Sequence, residues 1–369
     1  MIKAITMPKW GLSMTEGVVG DWLVTEGDAL ASGAEVVLVD TEKISGAVEA
    51  ADAGTLRRAV AATGDTLPVG ALLGVIAEAE VPDADIDAFV QRFQASFVPE
   101  ETGAEEAGDQ IETVQVGELS IAFARQGSAA RTAVLLHGFG GDLDNWLFNH
   151  LALSSNRTVI ALDLPGHGRS TKAVGDGSFA SMAEVVHDTV RELGVTEADL
   201  VGHSMGGAIA LQLARAQPRL VCSLTLLASA GLGPEINADY LQGFTRSRSR
   251  RELKPHVGQL FGDASLVTRQ LVEDLLKYKR LDGVQECLET LAGRLTDTGD
   301  RAEHARRIID AVSTLVIWGA DDRIIPAGHA RDLPNQDRVH ILEDTGHMLQ
   351  MERASEVNRL ITAFWNDQD

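Results

Sequence analysis

From Ala133 onward the chain carries six short apolar runs, Ala133–Leu136, Val159–Leu162, Leu200–Val201, Leu224–Leu227, Leu315–Trp318 and Val339–Leu342. Longer stretches of helical character separate them. A run without polar alternation marks a strand buried on both faces. Strands of that kind alternating with helices predict a largely parallel sheet covered on both sides. In such sheets the loops at the carboxyl ends of the strands hold the chemistry. The first 112 of the 369 residues lack this pattern. At roughly 100–200 residues per domain, the length itself predicts about two to three domains.

The N-terminal region repeats itself instead. Gly27-Asp28-Ala29-Leu30-Ala31-Ser32-Gly33 matches Gly64-Asp65-Thr66-Leu67-Pro68-Val69-Gly70 at an offset of 37 residues, and Gly17 and Gly54 share that offset. Each copy is a turn signal followed by a β-prone run, Glu35–Val39 in one half and Leu72–Ile76 in the other. A two-fold repeat of short strands within 78 residues predicts a small flattened β-barrel or sandwich. Val39-Asp40-Thr41-Glu42-Lys43-Ile44-Ser45 joins the halves. A pseudo-symmetric β domain with one lysine at this junction resembles a lipoyl or biotinyl carrier domain. Biotinyl domains usually flank the modified lysine with methionines. Here Glu42 precedes Lys43 and Asp40 lies three residues before it, as in lipoyl domains; Glu16-Gly17 and Trp22-Leu23-Val24 upstream agree. The resemblance implies lipoate amide-linked to Lys43, over residues 1–78.

Residues 79–112 read as an acidic linker. Residues 78–112 hold eleven acidic side chains and one base, Arg92, and Glu100 to Glu112 is rich in Glu, Gly and Ala. Such a composition does not offset the entropy of ordering. The exception is Ile86, Phe89, Val90, Phe93 and Phe97, spaced by three and four, which predicts a short amphipathic helix from about Asp83 to Ser96 that either docks on a neighbouring domain or binds a partner. A tether of about 35 residues spans up to roughly 120 Å when extended.

The whole chain is acidic, with 54 acidic and 32 basic residues and a net charge of −22. That balance argues against binding the backbone of nucleic acid. No stretch approaches the roughly 18–20 apolar residues of a membrane span, and the N-terminus has no apolar core ahead of a cleavage site. Cys222 and Cys287 are too few for a disulfide framework, so a cytoplasmic location is expected. No metal is assigned.

The C-terminal region, residues 113–369, carries the chemistry. Gly202-His203-Ser204-Met205-Gly206 lies between a strand and a helix. Small residues there permit a strained turn that exposes the Ser204 hydroxyl at a helix N-terminus. His137-Gly138-Phe139-Gly140-Gly141 follows an earlier strand, and its glycines let backbone approach a bound carbonyl. The N–H groups of Phe139 and Met205 would form an oxyanion hole. His137 reads as structural. Asp163-Leu164-Pro165-Gly166-His167-Gly168-Arg169-Ser170 resembles a loop of the α/β-hydrolases, with His167 shaping it. In that family Gly-x-x-Asp-x-x-x-Pro carries the acid, which places it at Asp322 rather than Asp321. Thr345-Gly346-His347-Met348 follows the last strand. The resemblance implies Ser204 as nucleophile, His347 as general base and then acid, and Asp322 as its orienting partner. Residues from about 231 to 307 have helical character where this family carries a cap. Within them Arg246, Arg248, Arg250 and Arg251 are candidates for the phosphates of coenzyme A, or pair with nearby acids on the cap surface.

The combined fold class is thus a small all-β lipoyl-type domain followed by an α/β-hydrolase fold with a helical cap. No histidine here heads the His-x-x-x-Asp-Gly motif of the usual lipoyl-linked acyltransferases. A lipoyl domain joined to a hydrolase fold resembles the acyltransferase component of bacterial acetoin dehydrogenase complexes. The resemblance implies acetyl transfer from the lipoyl arm to CoA. It implies as partners the thiamine-diphosphate-dependent acetoin dehydrogenase subunits and dihydrolipoamide dehydrogenase, and it is compatible with a homo-oligomer. The alternatives are a hydrolase of a small ester, thioester or C–C substrate with a lipoyl docking domain, and a carrier scaffold with a vestigial triad.

Overall fold

The computed structural model describes residues 2–8, 14–40, 45–97, 111–297, 301–333 and 336–368. The chain divides into two units, Met1–Glu106 and Ala107–Asp369. Lys43 and most of the acidic stretch after Phe97 lie outside the described residues. Among those described, no helix is long and apolar enough to cross a membrane.

The first unit holds strands β1 (Lys3–Thr6), β2 (Glu16–Trp22), β3 (Ala29–Leu30), β4 (Glu35–Asp40), β5 (Ser45–Glu49), β6 (Gly54–Ala59), β7 (Thr66–Pro68) and β8 (Leu72–Ala77). They form two four-stranded sheets, ordered β1-β8-β6-β3 and β5-β4-β2-β7. Val19, Val36, Val37, Val39, Leu56 and Leu73 fill the space between them without exposure. The sequence repeat is a backbone repeat. Gly27 donates to the carbonyl of Leu56 at 2.8 Å, and Gly64 donates to that of Val19 at 2.7 Å. In both turns the following aspartate accepts from the residue three before it, Thr25 for Asp28 and Ala62 for Asp65. Both first glycines have positive φ, 101° and 94°, a region that side chains rarely enter.

Helix α1 (Asp83–Ser96) has the predicted limits and rests on the first unit. Ile86 is fully buried against Leu72, Val75 and Ala77, with Phe89, Val90 and Phe93 beside it. The Arg57 guanidinium holds the preceding turn, donating to the carbonyls of Glu78, Ala79 and Val81 at 2.8–3.1 Å and to Asp83 at 2.7 Å. Arg58 pairs with Asp87 at 2.9 Å. Asp83 and Asp87 of the helix thus meet arginines of the sheet. Only thirteen residues separate Phe97 from Ile111.

The second unit is built on one eight-stranded sheet. Its strands are β9 (Ile111–Val116), β10 (Leu119–Gln126), β11 (Thr132–Leu136), β12 (Thr158–Leu162), β13 (Ala198–His203), β14 (Val221–Leu227), β15 (Thr314–Gly319) and β16 (Val339–Leu342). Their order is β16-β15-β14-β13-β11-β12-β10-β9. β11 to β16 run parallel, and β9 and β10 form an antiparallel edge. The six apolar runs are β11 to β16. The sheet also carries β9, which is half solvated and lacks a continuous apolar run, and β10 beside it.

Helices α2 (Phe179–Glu192), α3 (Met205–Ala216) and α9 (Ala354–Asn366) flank this sheet. Helices α4 (Ala238–Arg246), α5 (Arg250–Val257), α6 (Arg269–Lys279) and α7 (Val284–Thr296) form the cap after β14. Helix α8 (Arg301–Ala311) packs against α3 and leads into β15, so it belongs to the sheet layer.

Burial of Ile86 sets the measurable consequence. Ile86→Ala removes fully buried methylenes and is expected to cost about 2–5 kcal/mol locally. Hydrogen exchange on the full chain should show β6 and β8 amides losing protection while β11 to β16 keep theirs. Unchanged β8 protection would mean that α1 contributes nothing to the first unit.

Candidate active site

Ser204 follows β13, a central strand whose residues are all buried. Its backbone is left-handed, with φ 53° and ψ −116°, a conformation that costs about 1–3 kcal/mol in a non-glycine residue. Backbone bonds enforce it. Ser204 N–H donates to Leu227 at 2.9 Å, and its carbonyl accepts from Gly207 and Ala230, both at 3.0 Å. A side chain at position 206 would lie 2.1 Å from the Leu136 carbonyl oxygen, and one at 207 would lie 2.2 Å from Ser229 Oγ. The glycines of the motif are therefore required by close approach. Met205 begins α3, where backbone N–H groups lack helical partners.

The loop after β11 comes against the serine. A Cβ on Gly138 would stand 3.1 Å from Ser204 Cβ. Phe139 follows in the same turn, and its ring meets cap residue Phe244 edge-on at 5.7 Å. His137 donates from Nδ1 to the Gly138 carbonyl at 2.8 Å and accepts at Nε2 from Leu164 N–H at 3.0 Å. His167 bonds the Pro165 carbonyl through Nδ1 at 3.0 Å and accepts at Nε2 from Gly140 N–H at 3.2 Å. Both rings tie loops together. Burial pushes the His137 pKa down to about 4; burial and the neighbouring His137 push His167 down to about 3. Asp163 accepts from the N–H groups of Leu143 at 2.7 Å and Arg169 at 2.6 Å, and burial raises its pKa.

His347 Nδ1 and Asp322 Oδ2 are 2.8 Å apart, and neither side chain is more than 2% exposed. The other Asp322 oxygen accepts from the N–H groups of Ile324 and Ile325 at 2.8 and 2.9 Å. Asp321 is exposed and does not make this contact. His347 is joined to the serine turn through His203, whose Nε2 lies 2.9 Å from the His347 carbonyl and whose ring is 4.8 Å from its ring. Burial, with His347 beside it, pushes the His203 pKa well down. The loops after β11, β13, β15 and β16 thus bring Phe139, Ser204, Met205, Asp322 and His347 to one end of the sheet.

The four arginines are exposed along the end of α4 and the start of α5. Arg248 donates to Gln285 at 2.7 Å, and Arg250 is 3.7 Å from Glu273. Lys43 falls in residues 41–44, which join β4 to β5; these strands pair up to Asp40 opposite Ser45. A lone primary amine in a short connection between paired strands suits amide linkage to a carboxylic acid.

Three side chains escaped the motif reading. Phe244 covers the Phe139 loop. Buried Lys279 donates to the carbonyls of Phe244 and Ser247 at the end of α4, and burial lowers its pKa to about 8. Glu352 accepts from Gly346 and Gly262. Their only sequence signal is position, Glu352 lying five residues after His347.

The model of the alpha/beta hydrolase fold matches residues 133–354, and that of the biotin-requiring enzymes matches residues 3–76. Fold and site therefore define a biotinyl/lipoyl-type domain joined to an α/β-hydrolase-fold domain. The chain is 51% identical, over 98% of both chains, to the dihydrolipoyllysine-residue acetyltransferase component of the acetoin cleaving system of Pseudomonas putida. It is 48% identical to the component of the same name from Cupriavidus necator, over 97% of this chain and 96% of that one. A meta-cleavage product hydrolase from Pseudomonas fluorescens IP01 shares the fold, with a TM-score of 0.60 and 22% identity over 70% of this chain and 98% of its own. The chain belongs to the family of dihydrolipoyllysine-residue acetyltransferase components of acetoin cleaving systems.

The two loop histidines give a pH dependence. Their folded pKa values lie below the ordinary value near 6.5, so only the unfolded chain binds their protons as pH falls. The stability they contribute is complete above about pH 6.5 and is lost as pH drops from there toward 4 and 3. His167→Gln should flatten the fall of the urea midpoint between about pH 6.5 and 4.5. An unchanged slope would show that His167 is charged in the folded chain.

Proposed function

We propose that this chain is the acetyltransferase of an acetoin-cleaving dehydrogenase complex, moving an acetyl group from a lipoyl thioester to CoA. The observation that carries this reading is the match to named relatives through both units. Lipoate amide-linked to Lys43 would supply, in its reduced dihydrolipoyl form, the thiol that carries the acyl group as a thioester. The rest is the work of this chain's own residues.

The thioester carbonyl binds where the N–H groups of Phe139 and Met205 converge. Ser204 Oγ attacks it and gives its proton to His347 Nε2. Asp322 holds the ring in the Nδ1–H tautomer and stabilises the imidazolium. The imidazolium protonates the departing thiol, leaving the acetyl group on Ser204. CoA thiol then passes its proton to His347 as its sulfur attacks the acetyl-serine carbonyl. Acetyl-CoA leaves and His347 returns the proton to Ser204 Oγ. Phe244 over the Phe139 loop supports a role for the cap in keeping water from the acyl-serine.

Arg246, Arg248, Arg250 and Arg251 bind the CoA phosphates in this scheme. Their grouping at the end of α4 and the start of α5, on a cap whose Phe244 reaches Phe139, supports the assignment. The partners are the thiamine-diphosphate-dependent subunits that load the arm and the dihydrolipoamide dehydrogenase that reoxidises it, in the cytoplasm. The domains are carrier 1–78, connector 79–112 and catalytic domain 113–369.

The test supplies acetylated dihydrolipoyl protein and CoA to wild type and to Ser204→Ala. Transferase activity predicts acetyl-CoA formation that falls by about a thousandfold or more in the variant. Release of acetate regardless of CoA would instead identify a hydrolase, and no turnover by wild type would identify a scaffold. Intact-mass analysis should show one lipoyl adduct that Lys43→Arg removes. Arg246→Ser with Arg251→Ser should raise KM for CoA about tenfold, leaving KM for the acyl donor unchanged.

A further inference from the structure

Glu352 ends the short helix Leu349–Glu352 and turns its carboxylate back toward the base. Gly346, next to His347, donates its N–H to the two carboxylate oxygens at 3.1 and 3.2 Å. Gly262, in the cap segment after Phe261, donates to Oε2 at 2.7 Å. The same segment grips the base directly, because the Leu260 carbonyl accepts from His347 N–H at 2.8 Å and Met348 N–H at 3.0 Å. The two backbones touch so closely that a Cβ on Gly346 would lie 2.4 Å from Gly262 N. One carboxylate therefore bridges the base loop and the cap.

We propose that Glu352 is a positioning residue for His347: it locks the base loop to the cap and lays a negative charge that stabilises the imidazolium. This rests on the triad reading above. Burial raises the Glu352 pKa, while its backbone donors and His347 oppose that rise. Charged or titratable groups also reach the base loop or this cap segment, namely Asp322 and Arg323 from the loop after β15, His203 from β13 and Asp263 beside Gly262. Asp322 already holds Nδ1 of the ring, Arg323 reaches only the Gly262 carbonyl at 3.5 Å, and Asp263 bonds Ser265. Glu352 is thus the second carboxylate bound to the base loop.

The sign follows from charge. Removing a nearby anion destabilises the imidazolium, so the pKa of His347 falls and neutral base persists to lower pH. NMR titration of His347 in the full chain should show its midpoint about one pH unit lower in Glu352→Gln than in wild type. The acid limb of kcat/KM for acetyl transfer should move down equally, with kcat about tenfold or more lower. Glu352→Asp keeps the charge, so its midpoint should stay with wild type even where the shorter side chain lowers kcat. Superimposable titrations of wild type and Glu352→Gln would overturn the proposal, leaving a mere structural staple. Should Glu352→Gln fail to fold, a lowered midpoint in Glu352→Asp would overturn it instead. The titration reads His347 without turnover, so absence of Ser204-dependent transfer would defeat the functional reading separately.

Discussion

The left-handed backbone at Ser204 is the constraint around which the second unit is arranged. It is unfavourable by itself, and three elements hold it. β14 receives its N–H, the first turn of α3 and the chain after β14 bond its carbonyl, and the backbone of β11 passes where a side chain at 206 would stand. Such over-determination lets a strained residue persist at a reactive site. It also fixes the Ser204 side chain against the loop after β11, where a Cβ on Gly138 would stand 3.1 Å from Ser204 Cβ.

The chain after Ala230 enters the cap, so the cap begins at an anchored point rather than on a free loop. It is then sewn to the catalytic loops repeatedly. Asn237 donates its N–H to Ile324 at 2.8 Å and its amide to the Arg323 carbonyl at 2.9 Å, just past Asp322. Leu260 takes the N–H of His347. Phe244 rests on the Phe139 loop and is backed by Lys279, a buried cation whose charge is satisfied by the last carbonyls of α4 and the Phe244 ring 5.1 Å away. Cap and catalytic loops therefore share backbone bonds, and a change in one is felt at the other.

Features that rest on periodicity or on close backbone approach were legible in the sequence. The 37-residue repeat became a repeat of backbone bonds, and the spacing of Ile86, Phe89, Val90 and Phe93 became the buried face of α1. The glycines around Ser204 announced a crowded turn. What stayed hidden depends on long-range partners. β9 is half exposed and pairs only at the sheet edge. Glu352 acts by accepting backbone N–H groups from residue 262, ninety positions away, and no local pattern encodes that. Nothing near Lys279 in the sequence foretells the carbonyls of Phe244 and Ser247 that it meets.

The docking of α1 changes the arithmetic of delivery. With that helix held by Arg57 and Arg58 on the carrier unit, only thirteen residues lead to β9, and their extended reach is about 45 Å rather than roughly 120 Å. Tethering raises local concentration most when the tether is short, to the millimolar range. The acids of α1, at Asp83 and Asp87, are spent on docking the helix. Part of the acidity that reads as a solvated linker is instead the cement of the carrier unit.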